Sequence, residues 1–230
     1  MLDTALCAAY NIVCSSHMRT VSKRRTFSAA DRYMHKAEVD MSNTEYALGA
    51  HCGITFAGIK AGSLINIKRE CMGCIRRYAR YFGRRGFKFV VLRQGSRVLL
   101  YVYNRKKLGE ILSDSDIRTF LRGHGYIYDT AEEAVEILKS RMGGGEFPHE
   151  IGIFLDYPLE DVQGFISRPC EGIFTGHWKV YADEEGKRKL FEKFDRCTRK
   201  IISRMRDGCS LESIFNADLS KAALSKTAAR

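Results

Sequence analysis

Two short stretches carry the residue types best suited to chemistry: His149-Glu150 within Phe147-Pro148-His149-Glu150-Ile151-Gly152, and His51-Cys52 followed by Lys60. An imidazole titrates near neutrality, so His149 in a loop suits a general base or a ligand contact at a pocket mouth. His149-Glu150 also matches the first half of a zinc-protease helix, but that chemistry needs a second His four positions after the first, and Ile153 stands there. In an extended segment the two side chains would point to opposite faces. The competing structural reading has both hydrogen-bonding backbone groups at a strand entrance. His51, Cys52 and Lys60 could form a thiolate site, since a neighbouring cation lowers a thiol pKa and the thiolate is the nucleophile. Adjacent side chains seldom face each other, however, and no acid partner is assignable.

Cys71 and Cys74 have the two-residue gap of redox and zinc sites. A second pair is missing, and helical spacing puts both near an apolar stripe, so a buried pair competes with a metal- or thiol-linked redox role. No metal ligand set is expected. Arg69, Arg76, Arg80 and Arg84 share one face of an expected amphipathic helix, while Met72, Ile75, Tyr78 and Phe82 share another. With Tyr78, Tyr81 and Phe82 interleaved, such a helix could track a nucleic-acid backbone and stack bases, or meet an acidic protein; the same pattern also describes an ordinary surface helix.

These groups must be positioned by an α/β (α+β) fold. Helical spacing places an amphipathic basic helix within Ile65 to Arg85. Phe87 to Leu92 and Val98 to Tyr103 read as a hairpin, and the second arm, apolar on both faces, reads as a central strand. Helices are expected around Asp116 to Gly123 and from Ala131 to Met142, the latter opened by Thr130 and Glu133 at capping-box spacing. Ile151 to Leu155 reads as a short apolar strand leading into a helix at Pro158, where Asp156, Glu160 and Asp161 supply negative charge that would repel a phosphate. His177 to Tyr181 is expected as a strand, with Trp178 in the core. Glu184 to Met205 is expected as a long helix with Leu190, Phe191, Phe194, Cys197 and Ile201 along one stripe, and a short helix follows near Ser210. The sum is a mixed sheet of about four to five strands flanked by helices. It forms a single domain over residues 43–216, with a loosely ordered extension at 1–42 and a flexible tail at 217–230.

At 230 residues and 45% hydrophobic content the chain can bury a sizeable core, which excludes a wholly disordered protein. Its charge is uneven: residues 60–107 hold 14 Lys plus Arg against one acid, Glu70, and residues 108–183 hold 14 acids against 6 bases. That distribution suits either an anionic partner or complementarity within the fold. Eight scattered cysteines and the absence of a basic n-region before the apolar run Ala5 to Cys14 point to a reducing cytoplasm, and that run is too short to span a membrane.

The run from Phe147 to Ile166, followed by Gly176-His177-Trp178-Lys179-Val180-Tyr181, resembles an uncharacterised bacterial family known as domain of unknown function 3793. An earlier element of the same pattern would be His51, Thr55, Gly58 and Lys60, and the resemblance covers about residues 43–216. Ile54 stands where the family favours Pro, and Asp156 where it favours Gly. The resemblance implies a cytosolic protein of bacterial type and carries no established activity or cofactor.

Two function classes follow. The first is a small ligand, cofactor unknown, bound in a pocket lined by His149, Glu150, His51 and Lys60, with enzymatic activity open. The second is an interaction protein that uses the basic 60–107 segment, through Arg69, Arg76, Arg80 and Arg84, to bind an acidic protein or nucleic acid. Convergence of the first four residues would favour the ligand; an exposed arginine stripe with those four apart would favour the partner.

Overall fold

The structure is a computed structural model that describes residues 29–143 and 147–216, with the backbone alone for 29–42. Residues 1–28, Gly144-Gly145-Glu146 and the tail beyond Asn216 lie outside the described residues, so most of the expected N-terminal extension and the C-terminal tail do too.

Helix α1 (Ala29–Phe56) leads through a tight turn into β1 (Gly62–Lys68). A short 3-10 turn, Arg69–Cys71, precedes α2 (Met72–Gly83), and the hairpin β2 (Phe87–Gln94) and β3 (Arg97–Asn104) follows. Then come α3 (Arg105–Leu112), α4 (Ser115–Gly123), α5 (Ala131–Arg141), α6 (Ile151–Phe154), α7 (Leu159–Ser167), the two-residue strands β4 (Phe174–Thr175) and β5 (Lys179–Val180), α8 (Glu184–Arg206) and a terminal helical segment at 211–216.

The main sheet has the order β1-β3-β2 and is antiparallel throughout, which makes β3 central as its apolar sequence requires. Alternation along β3 divides the core. Val98, Leu100 and Val102 join Ile65, Ile67, Ile75, Tyr78 and Phe82 under α1, α2 and the terminal segment. Tyr101 and Tyr103 face the opposite layer, with Leu108, Leu121, Val135, Leu138, Ile153 and Phe154. A third cluster gathers Ile54, Trp178, Val180, Phe191 and Phe194. Each sheet face is therefore covered by helices, and the fold is mixed helix and sheet.

Local signals are expressed as expected. Thr130 Oγ1 accepts from Glu133 N–H, and Glu133 Oε2 accepts from Thr130 N–H, a closed capping box. The hairpin turns through Gly95-Ser96, with a bulge at Val91/Arg93. In α2, Ile75, Tyr78 and Phe82 are buried.

Four expectations need correction. The sheet is neither mixed nor four- to five-stranded: three strands pair in one sheet, and β4 and β5 form a separate antiparallel ribbon. Ile151 to Leu155 is a helical turn, closed by Ile151 N–H to Pro148 O and Gly152 N–H to His149 O. All four α6 residues are buried. A short run apolar on every side shows neither the helical nor the strand period, so its residues cannot report which of the two it adopts. Side chains of Val162 and Tyr157 also occupy the space a Cβ at Gly152 would need. Third, the N-terminal part of Ile65 to Arg85 is not helical. Residues 62–68 alternate in burial and pair with β3, so tertiary pairing decides where the helical stripe begins. The expected strand at 177–181 is reduced to Lys179–Val180.

Candidate functional site

Lys60 sits in the turn between α1 and β1. The turn is closed by Gly58 N–H to Thr55 O and Ile59 N–H to Ile54 O, with Gly58 at φ 68°. Three contacts lock it to the α6–α7 connection. Asp156 Oδ2 accepts from Ala61 N–H at 2.8 Å, Tyr101 Oη donates to Phe154 O at 2.5 Å, and Gly62 lies against Phe154 O and the Tyr101 ring so closely that a Cβ would not fit. Beside them Thr55 and Ser63 share a buried hydroxyl–hydroxyl hydrogen bond of 2.7 Å.

Within this junction Lys60 is 8% exposed. Its ammonium lies 4.9 Å from the centre of the Tyr157 ring, and it makes no ion pair or side-chain hydrogen bond with a described residue. Burial pushes its pKa down to about 8, only partly opposed by Asp156 and then Cys52. Asp156 is raised above the usual carboxylate range by burial, with the Ala61 N–H, Lys107 and Lys60 pulling the other way. It has φ 62°, a conformation Gly adopts at least cost and Asp tolerates. Burial takes the Tyr157 phenol up to about 12, and the ring stacks on Trp178 with centroids 4.5 Å apart.

Cys52, on α1, is fully buried, and burial drives its thiol up to about 12 despite Lys60. Burial therefore favours the protonated thiol over the thiolate that a nucleophilic site at His51, Cys52 and Lys60 would use. Burial also pulls the His51 imidazole below its ordinary value, favouring the neutral ring.

His149 and Glu150 have other neighbours. Glu150 is 3% exposed, and its Oε1 accepts from Arg141 Nε at 2.7 Å and from Tyr126 Oη at 3.0 Å. Its partners are thus side chains of α5 and of the segment before it, where backbone groups at a strand entrance were expected. His149 is exposed, its ring against Phe165 and Phe147. Lys60 is linked to the Tyr157 ring by contact and to Asp156 and Cys52 by electrostatic influence, whereas Glu150 is hydrogen-bonded to Arg141 and Tyr126. No described contact runs between the two sets.

Arg69, Arg76, Arg80 and Arg84 are all exposed and form no ion pair with a described residue. Their neighbours differ: Arg77 makes a two-point contact with Glu212, and Arg85 lies 3.9 Å from the Tyr81 ring centre. Tyr78 and Phe82 are core residues, and Tyr81 Oη donates to Glu212 O at 2.7 Å.

The acids near Pro158 do not cap α7. Asp161 accepts from Trp178 Nε1 at 2.8 Å, Tyr181 N–H at 2.6 Å and Ala182 N–H at 3.3 Å, while Glu160 pairs with Lys187. Residue type and spacing do not reveal these uses, nor the placing of Tyr157 against Lys60, because they depend on contacts between distant segments. The one local signal is Asp156-Tyr157-Pro158, a sequence suited to a turn.

Among the described residues no group of three or more His, Cys, Asp or Glu could hold a metal ion, and no helix is long and apolar enough to cross a membrane. No curated protein and no solved structure matches the chain. Residues 48–215, which contain α2, the main sheet and the Lys60 junction, match a family described as protein of unknown function (DUF3793), and the chain belongs to that family.

Proposed function

We propose that this chain is a cytoplasmic interaction protein whose binding face is built on the arginines of α2 and of the residues flanking it, and whose partner is an acidic protein surface. The observation that carries this reading is the exposure of Arg69, Arg76, Arg80 and Arg84 with no carboxylate paired to any of them among the described residues. Arg76, Arg80 and Arg84 follow one helical ridge at a rise of about 6 Å per step, so their guanidinium groups can engage successive carboxylates. Tyr78 and Phe82 are in the core, and Tyr81 is occupied by Glu212 and Arg85, so α2 offers no aromatic platform for bases. That favours an acidic protein over single-stranded nucleic acid.

The test is cross-linked capture from nuclease-treated lysate of the source cells, comparing the protein with a variant carrying Arg76→Glu, Arg80→Glu and Arg84→Glu. The expected result is a captured acidic protein that purifies in stoichiometric complex and loses at least about tenfold in affinity with the variant, and likewise on raising salt. Equal binding by both forms would refute the reading. Loss of binding to a labelled 20-nucleotide strand in the variant, with no protein partner, would replace it with nucleic-acid binding.

A second reading, a small-ligand site, is supported by Lys60, a buried amine without a charged or hydrogen-bonding partner among the described residues, with His51 one residue from Cys52 on the adjoining helix. Perturbed ionisable groups of this kind mark functional sites more often than chance. No described contact joins His149 or Glu150 to Lys60, so neither is included in this reading. Saturable protection of Lys60 from acetylation by a co-purified ligand would be its signature.

A further inference from the structure

We propose that Lys60 is a nucleophilic amine that captures a small aldehyde or ketone as an imine, with the Tyr157 ring facing the resulting cation and Asp156 carrying the proton. This rests on the small-ligand reading and assigns it a ligand class.

Lys60 lacks the surroundings of an anion-binding lysine. A lysine that binds anions by charge is normally kept protonated by solvent or by acids, yet this amine is buried beside an aromatic face. Burial favours its neutral form, which is the form that attacks carbonyl carbon. An anion bound by charge alone would have to draw on an ammonium that the site disfavours. A carbonyl compound needs only the lone pair.

The groups around the nitrogen match the steps that follow. Attack forms a C–N bond and moves one amine proton to the former carbonyl oxygen, giving a carbinolamine. Loss of that oxygen as water, with a proton supplied from Asp156, forms the C=N bond and leaves a protonated imine. The balance is amine plus carbonyl giving imine plus water, and no oxidant or reductant enters. The protonated imine is a cation in the place of the ammonium, so the Tyr157 face 4.9 Å away and the ionised Asp156 both favour it. Asp156 Oδ2 is held by Ala61 N–H, and Oδ1 has no hydrogen-bond partner among the described residues, which leaves one carboxylate oxygen for proton transfer. Burial raises its pKa above the ordinary aspartate value, the direction that favours proton donation. The other titratable neighbours are Cys52, whose buried thiol does not compete as a nucleophile, and Lys107, which acts on Asp156.

The experiment treats the full-length protein with glyoxylate and cyanoborohydride, which reduces an imine to a stable secondary amine, and locates adducts by peptide mass spectrometry. In parallel, acetic anhydride reports whether each amine is open to a reagent that forms no imine. Lys68 and Lys88, both exposed, serve as reference amines. The expected result is trapping at Lys60 at least about tenfold faster than at either reference at pH 7.5, as an amine with a much larger neutral fraction than an exposed lysine should give. Asp156→Asn keeps the Ala61 contact and tolerates the positive φ. It should slow trapping at Lys60 by about tenfold or more while leaving acetylation unchanged. Lys60→Arg should remove the adduct.

Rapid acetylation of Lys60 without preferential trapping would overturn carbonyl capture and leave the small-ligand reading standing. Failure of both reagents at Lys60 would show a closed site and overturn both. Trapping that is preferential but indifferent to Asp156→Asn would remove Asp156 from the mechanism.

Discussion

Lys60 and Lys187 are buried to the same degree, 8% and 7% exposed, and their surroundings could hardly differ more. The Lys187 ammonium lies 3.3 Å from Glu160 and 4.0 Å from Asp183, one acid in the first turn of α7 and the other the N-cap of α8. It joins two helix starts, each of which favours negative charge, so the cation completes an arrangement that the helices already require. Lys60 has an aromatic face and no acid within ion-pair distance among the described residues. One lysine fastens the fold; the other costs the fold stability. A buried charge without an ion-pair partner is expensive to hold, which is the physical ground on which the proposed use of Lys60 stands.

The sharpest way to break the comparison is to remove a group on the fastening side. Asp161, 2% exposed, satisfies the Trp178 indole and two backbone N–H groups, so Asp161→Ala leaves three donors without an acceptor. We expect a loss of about 3–4 kcal/mol in urea unfolding. A loss below about 1 kcal/mol would mean that water takes over these donors and that the fastening role is overstated.

The next largest effect has the opposite sign. In the folded protein the Lys60 pKa is about 8, below the ordinary lysine value of 10.5, so between these values the unfolded chain binds the proton and the folded chain does not. Stability therefore rises with pH across that window, and the penalty is complete below about pH 8. Lys60→Met should raise stability at pH 7 by about 2–3 kcal/mol, with the gain fading from about pH 8 and lost by about pH 10.5. Lys187→Met should instead lower stability by about 1 kcal/mol, because it strands Glu160 and Asp183, both half-exposed. Denaturant unfolding of both variants from pH 6 to 10.5 checks the pair, and a loss of stability in Lys60→Met would place Lys60 with Lys187 as a fastener.

How much of this is legible in sequence depends on the range of the interaction. The Thr130–Glu133 capping box, the hairpin around Gly95-Ser96 and the apolar stripe of α2 depend on residues within a turn or two of each other, and each is visible as spacing. The arginines on the other face of α2 are visible for the same reason. The Lys60 site is not: the Asp156 contact to Ala61 N–H crosses 95 residues, and Tyr157 reaches Lys60 only because α6 is a helical turn and not a strand. The run Ile151-Gly152-Ile153-Phe154 is buried throughout and so lacks the polar positions from which a period could be read. Reading it as a strand also invents a parallel crossover, which is why the expected sheet is too large. Lys60 itself is identifiable as a candidate, whereas its partners belong to a segment whose structure tertiary contacts decide.

A smaller effect separates Glu150 from its neighbour in sequence. Glu150→Gln retains one acceptor for Arg141 or Tyr126 and loses the charge, and should cost about 1–2 kcal/mol. His149→Ala should change stability by no more than about 0.5 kcal/mol, because the ring is exposed and its described contacts are aromatic edges at Phe165 and Phe147. The two substitutions are adjacent, so they test whether burial and hydrogen bonding, and not position in the motif, decide the consequence. Thermal unfolding of both variants gives the stability half of the test, and glyoxylate trapping at Lys60 gives the functional half. We expect His149→Ala to leave the midpoint and the trapping rate where they were. A lower midpoint, as large as that of Glu150→Gln, would make His149 part of the Glu150 fastening; an unchanged midpoint with slower trapping would bring His149 into the site around Lys60, by a route that the described contacts do not contain.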